Sequence, residues 1–148
     1  MNIYDEQYKK LGFNAQRLYP NEELLRFMGR RFFSIPKNKR RKIKILELGC
    51  GSGANLWMIA KEGFKCYGID ISKEGLKLCL RMLRKYRVKA QVLVGDMRKL
   101  PYINDFFDAV IDIVSLQHLL FSEHILVYRE IKRVLKPEGV FFFLSFGK

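Results

Sequence analysis

The chain has 148 residues and carries 28 lysines and arginines against 15 acids, a net charge of +13. Its 49% hydrophobic and 29% charged residues suit one globular domain with a real core and exclude a disordered or low-complexity chain. No apolar run approaches the ~20 residues that cross a bilayer, Met1–Lys10 is too polar for a secretory signal, and Cys50, Cys66 and Cys79 are too scattered for a disulfide framework or a metal site, so a cytoplasmic protein without membrane or metal is expected.

Residues 1–36 read as a helical segment ahead of the core, with Tyr4, Tyr8, Arg17 and Tyr19 in it. Asn21, after Pro20, can cap a helix reaching about Phe33. Such a segment either folds over a ligand as a lid or packs on the core for stability. Lys37–Lys44 follows, a basic stretch expected to be a solvated surface. Ile43–Leu48 is a short apolar run ending at glycines, hence a buried strand. Gly53–Glu62 reads as a helix with Leu56, Ile59 and Ala60 on one face, stopped by Gly63. Lys65–Asp70 is a second strand. Ser72 can cap a helix running to about Arg87, with Leu76, Leu80 and Leu83 inward and a second basic stretch, Arg81–Lys89, at its end. Ala90–Val94 and Phe107–Val114 are the third and fourth strands. Ser122 caps a further helix whose face carries Ile125, Tyr128, Ile131, Val134 and Leu135. Lys136-Pro137-Glu138-Gly139 is a stop and turn, and Val140–Phe146 is the fifth strand.

Strands that alternate with helices imply parallel pairing through right-handed crossovers. The strands are apolar on both faces, as a sheet covered on both sides requires. Ligands then bind at the carboxyl ends of the strands, near the switch point.

The first strand ends in Glu47-Leu48-Gly49-Cys50-Gly51-Ser52-Gly53. Gly49, Gly51 and Ala54 also satisfy the dinucleotide pattern G-x-G-x-x-A. A pyrophosphate on this loop would meet the Glu47 carboxylate, however, whereas a ligand carrying an ammonium and a sulfonium gains from it. Glu47 therefore favours S-adenosylmethionine (SAM). Asp70 closes the second strand at the distance expected of an acid holding two ribose hydroxyls. Asp96 after the third strand can accept from an adenine amino group, with Met97 and Ile71 sandwiching the ring. Otherwise Asp70 is a helix cap and Asp96 a residue of a surface turn.

ELGCGSG, the acid of GID, GDMRKLPY, FDAVIDIVSLQHL and REIKRVLKPEGVFFF occur in order between Ile43 and Phe146 and resemble the successive motifs of class I SAM-dependent methyltransferases. The resemblance implies an α/β, three-layer Rossmann-like doubly wound sheet in strand order 3-2-1-4-5. It implies a SAM-binding core over residues 37–148 with SAM as cofactor. Glu47, Gly49 and Gly51 would surround the methionine part, Asp70 would take the ribose, Asp96 and Met97 the adenine, and the backbone near Ile113 the amino group, with Cys50 and Ile71 also among the cofactor-binding residues. Family sheets usually continue into an antiparallel hairpin, so the expected sheet is truncated after strand five. That leaves an apolar strand-five edge able to join a second copy in a homodimer.

Methyl transfer is an in-line displacement in which positioning does much of the work. A hydroxyl or amine acceptor also needs a base. His118, after the fourth strand, is the catalytic candidate, and His124 is read as a surface residue. A small-molecule methyl acceptor is the leading partner. The +13 charge keeps nucleic acid, or a protein, as a second acceptor class, although strand four lacks the Asn/Asp-Pro-Pro-Tyr/Phe sequence of base-amine methylation. A SAM-binding module without activity is the third reading.

Overall fold

Five apolar runs become five strands: β1 (Lys44–Leu48), β2 (Lys65–Asp70), β3 (Gln91–Val94), β4 (Phe107–Ile113) and β5 (Leu135–Leu144). The computed structural model describes residues 1–146. The strands form one sheet in the order β3-β2-β1-β4-β5, and every pairing is parallel. This is the Rossmann-like order expected from the motifs.

Helices α1 (Ile3–Leu11), α2 (Glu22–Arg31), α3 (Leu56–Lys61), α4 (Lys73–Lys85) and α5 (Phe121–Val134) supply the outer layers. Alternation along the central strands divides the core. Ile45 and Ile111 face Leu24, Met28, Leu56 and Leu83 of α2, α3 and α4. Leu46, Leu48 and Val110 face Val127, Ile131 and Val134 of α5. Each fully buried aliphatic side chain contributes roughly 1.5–3 kcal/mol. Helix α2 is part of this core, through Leu24, Met28 and Phe32.

Several details differ from the sequence expectations. Leu80 is 48% exposed, because the buried stripe of α4 runs through Leu76, Cys79 and Leu83 and places Leu80 outside it. Helix α5 starts one residue earlier than Ser122, behind Leu120, whose N–H donates to the Glu123 carboxylate at 2.9 Å. Its buried stripe is Val127, Ile131 and Val134, which leaves Ile125 and Tyr128 exposed. Lys136–Gly139 is not a turn between elements. Leu135 already pairs with Phe107 and Val140 with Ala109, so the four residues bulge out of one continuous strand, with Glu138 at φ +67°. Strand β5 ends at Leu144, not Phe146.

The first basic stretch is not uniformly solvated. Residues 37–42 form a 3₁₀ turn in which Arg40 is buried. Its guanidinium donates to the Phe33, Ile35 and Glu62 carbonyls and to the Glu62 carboxylate at 2.7–3.0 Å. It also lies over the Phe33 and Phe64 rings.

Candidate cofactor site

The site begins with two glycines in the left-handed backbone region, where any side chain would be strained and crowded. Gly49 sits at φ +60°, and a Cβ there would lie 2.3 Å from the Ser115 Cβ. Only a hydrogen lets the exit of β1 pass beneath the exit of β4. Gly51 sits at φ +51°, where a Cβ would lie 2.5 Å from the Tyr8 hydroxyl and the Gln16 amide oxygen. The Gly51 N–H donates to Asp70 Oδ2 and the Ser72 N–H to Asp70 Oδ1, each at 2.8 Å. Asp70 therefore ties the loop after β1 to the loop after β2. Burial raises its pKa, and these backbone donors pull it back.

These loops floor a cavity of about 290 Å³ at the carboxyl ends of the strands. Tyr4, Tyr8, Gln16 and Arg17 of the N-terminal segment line it from the other side. That segment is fastened in place. Asp5 Oδ1 accepts from the Ser72 hydroxyl at 2.7 Å and the Glu74 N–H at 3.1 Å, so an acid from α1 sits on the N-terminus of α4. The Asn2 amide adds a bond to the Ile71 carbonyl at 3.1 Å.

Glu47 is the distinctive group. It is 2% exposed and lines the cavity. Its Oε1 accepts from the Asn55 amide at 2.7 Å, and its Oε2 has no partner. Burial pushes its pKa up to about 8, offset in part by the Asn55 bond and the charge of Arg17. A buried carboxylate oxygen without a partner is costly unless a cation meets it there. A ligand ammonium fits that position, and Arg17 nearby suits a ligand carboxylate. A pyrophosphate does not fit beside it.

Cys50, Ile71, Met97 and Ile113 also line the cavity, as do Gly49, Asp70, Asp96 and His118. Gly51 does not; it acts through Asp70. Asp96 is engaged by Arg98, whose Nε donates to both of its oxygens at 2.9–3.0 Å and holds its pKa low. Arg98 also reaches Glu123. His118 is exposed at the cavity mouth, edge-on to Tyr4 with ring centroids 6.0 Å apart. His124 is half-buried between Phe121 and Tyr128 rather than a plain surface residue.

Gln16 carries no local signal, because its place beside Gly51 depends on the N-terminal segment folding back over tens of residues; Asn55 meets Glu47 only eight residues away, yet an Asn in that loop does not stand out from a simple turn residue. Asp112 did leave a signal: an acid inside the apolar run of β4. It is wholly buried, and burial pushes its pKa up to about 6. It accepts from the Ser115 hydroxyl and, at 3.0 Å, from the Leu116 N–H. It thus holds the turn after β4, where Val114 has φ +59°.

Comparison with known proteins agrees with this geometry. The family model described as a methyltransferase domain matches residues 46–143. Norajmaline N-methyltransferase of Rauvolfia serpentina is 31% identical over 129 residues, which cover 85% of this chain and 42% of that protein. The crystal structure of the PH0226 protein from Pyrococcus horikoshii OT3 superposes with a TM-score of 0.69 at 28% identity, covering 93% of this chain and 60% of the other. Haemonchus contortus phosphoethanolamine N-methyltransferase 2, solved in complex with S-adenosyl-L-methionine, shares the fold with a TM-score of 0.69 at 23% identity, covering 93% of this chain and 31% of that one. The chain belongs to the methyltransferase domain family, the SAM-dependent methyltransferases with a Rossmann-like core. It spans under half the length of the first curated relatives it matches.

Proposed function

We propose that the cavity binds SAM and that the protein transfers its methyl group to a small-molecule acceptor. The observation that carries the reading is Glu47: a buried carboxylate with one unpartnered oxygen in the cavity, with the positive charge of Arg17 near it. Glu47 would hold the methionine ammonium, Arg17 the carboxylate, Asp70 the ribose and Met97 with Ile71 the adenine. SAM supplies an activated methyl on a sulfonium. The chain's own part is to orient and to exclude water. Residues 1–17, ahead of the core helix α2, act as the lid, fixed by Asp5. His118 at the mouth would take a proton from an incoming hydroxyl or amine. The small-molecule names among the relatives, an alkaloid and a fatty-acid methyltransferase, support that acceptor class over RNA or protein. Incubation with methyl-labelled SAM and separate pools of small amines and carboxylic acids, RNA and protein tests the reading. Label in a small-molecule pool is expected, and label only in RNA or protein would overturn it.

Strand β5 is one of the two sheet edges among the described residues, β3 being the other, and its Phe143 is 40% exposed. Pairing of this edge with a second copy is part of the same proposal. Light scattering at micromolar concentration should show a dimer that Phe143→Lys dissolves. A wild-type monomer would reject it.

A further inference from the structure

The two basic stretches of the sequence lie forty residues apart, yet the topology brings them to one end of the molecule. Every strand of a parallel sheet starts at the same edge, and every preceding helix ends there. The 3₁₀ turn 37–42 lies against Gly63, at the turn into β2, through Lys37. Lys44 and Lys65 are register partners. Lys61, ending α3, reaches the Tyr86 carbonyl that ends α4, next to Arg84, Lys85 and Arg87.

The charge is correspondingly lopsided. Seventeen of the 28 lysines and arginines belong to this end: the stretches 37–44 and 84–89, the ends of α2, α3 and α5, and the starts of β2 and β5. Only Glu62, Asp105, Asp108, Glu130 and Glu138 of the fifteen acids do, which leaves twelve positive charges in excess. Elsewhere the described residues carry ten cations and ten acids. Three of the five acids are already occupied, in Arg40–Glu62, Arg133–Glu130 and Lys136–Asp108 pairs. Cations at helix C-termini are individually favourable. That preference does not account for the 37–44 stretch, for Lys65 at a strand start, or for the shortage of acids.

We propose that this end of the sheet is a docking surface for an RNA backbone. Charge complementarity to a run of phosphates is the argument. An anionic membrane would ask in addition for apolar side chains to insert, and of the large exposed hydrophobics only Ile103 lies at this end. The surface faces away from the cavity mouth by the length of the sheet, about 20 Å for strands of five to seven residues. It anchors the protein and does not present the methyl acceptor. Contacts to phosphate alone make the binding independent of base sequence and strongly salt-dependent.

Fluorescence anisotropy with a labelled duplex RNA, from 50 to 200 mM salt, tests this on the full chain. Each phosphate contact adds about 0.9 to the slope of log K against log salt. Replacing Lys39, Lys42, Lys65 and Lys85, all exposed, by Gln should flatten the slope by about 3.6 and weaken binding at least tenfold at 100 mM. Replacing Lys9, Lys10, Lys77 and Lys99 by Gln removes the same charge elsewhere and should change affinity less than threefold. Equal loss in both variants would overturn the proposal, since only net charge would then matter. Wild-type binding weaker than ~100 μM at physiological salt, the weak limit of non-specific binding, would do so too. So would binding to phosphatidylserine vesicles without binding to RNA.

Discussion

Replacing Glu47 by Gln isolates the group on which cofactor recognition rests. With a pKa of about 8, Glu47 is roughly nine-tenths protonated at pH 7 in the cofactor-free protein. Meeting an ammonium requires the carboxylate. Ionising it at pH 7, one unit below its pKa, costs about 1.4 kcal/mol. Binding of S-adenosylhomocysteine, which keeps the amino-acid end of SAM, should therefore release about 0.9 proton at pH 7 and tighten with pH, by about tenfold per unit below pH 7 and about fivefold between pH 7 and 8. Calorimetry in two buffers of different ionisation enthalpy reads the proton count directly. Glu47→Gln keeps the Asn55 contact in shape but should release no proton and lose the pH dependence. The same group shapes stability without ligand. Its folded pKa lies above the ordinary 4.5, so its contribution is fully present below pH 4.5 and is lost as pH rises through about 8. The cofactor-free wild type should melt lower at pH 9 than at pH 6, and the Gln variant should show less of that fall. Release of fewer than about 0.1 proton by the wild type at pH 7 would refute the reasoning, because Glu47 would then be ionised already or untouched by the ligand.

Asp70→Ala should weaken S-adenosylhomocysteine by roughly 1–3 kcal/mol in calorimetry and also lower the melting temperature, since the Gly51 and Ser72 N–H groups lose their acceptor. Unchanged affinity would remove Asp70 from the site. Arg40→Ser should destabilise by roughly 1–3 kcal/mol in urea melts, because the Phe33, Ile35 and Glu62 carbonyls lose their donor and the Phe33 and Phe64 rings lose the guanidinium packed on them. Arg41→Ser should stay within about 0.5 kcal/mol, and equal effects would mean Arg40 is not the anchor. His118→Ala should leave S-adenosylhomocysteine affinity within about twofold while lowering turnover roughly a hundredfold, the low end of what a positioned base contributes. Full turnover would show that another group takes the proton.

The strands were legible in the sequence because apolar period and turn signals are local, and their order followed from the resemblance of the successive motifs. The apolar runs, the glycines after Glu47 and the acid at Asp70 each announce themselves within a few residues. What the sequence concealed depends on partners distant in the chain. Arg40 looks like its neighbours in a basic run, and only Phe33, Phe64 and Glu62 single it out. Pro137 and Gly139 signal a turn, but the pairing of Leu135 with Phe107 draws them into a bulged strand. Leu80 shares the spacing of Leu76, yet the stripe of α4 is centred one position away. The roof of the cavity was half visible: Tyr4, Tyr8 and Arg17 stood out in a polar segment, while the Asp5–Ser72 bond that fastens it spans 67 residues.

Titration calorimetry with S-adenosylhomocysteine and with NAD on the same protein tests the central claim most directly. The account predicts saturable, one-to-one binding of S-adenosylhomocysteine that Glu47→Gln weakens, and no heat from NAD. Binding of NAD without binding of S-adenosylhomocysteine would contradict it.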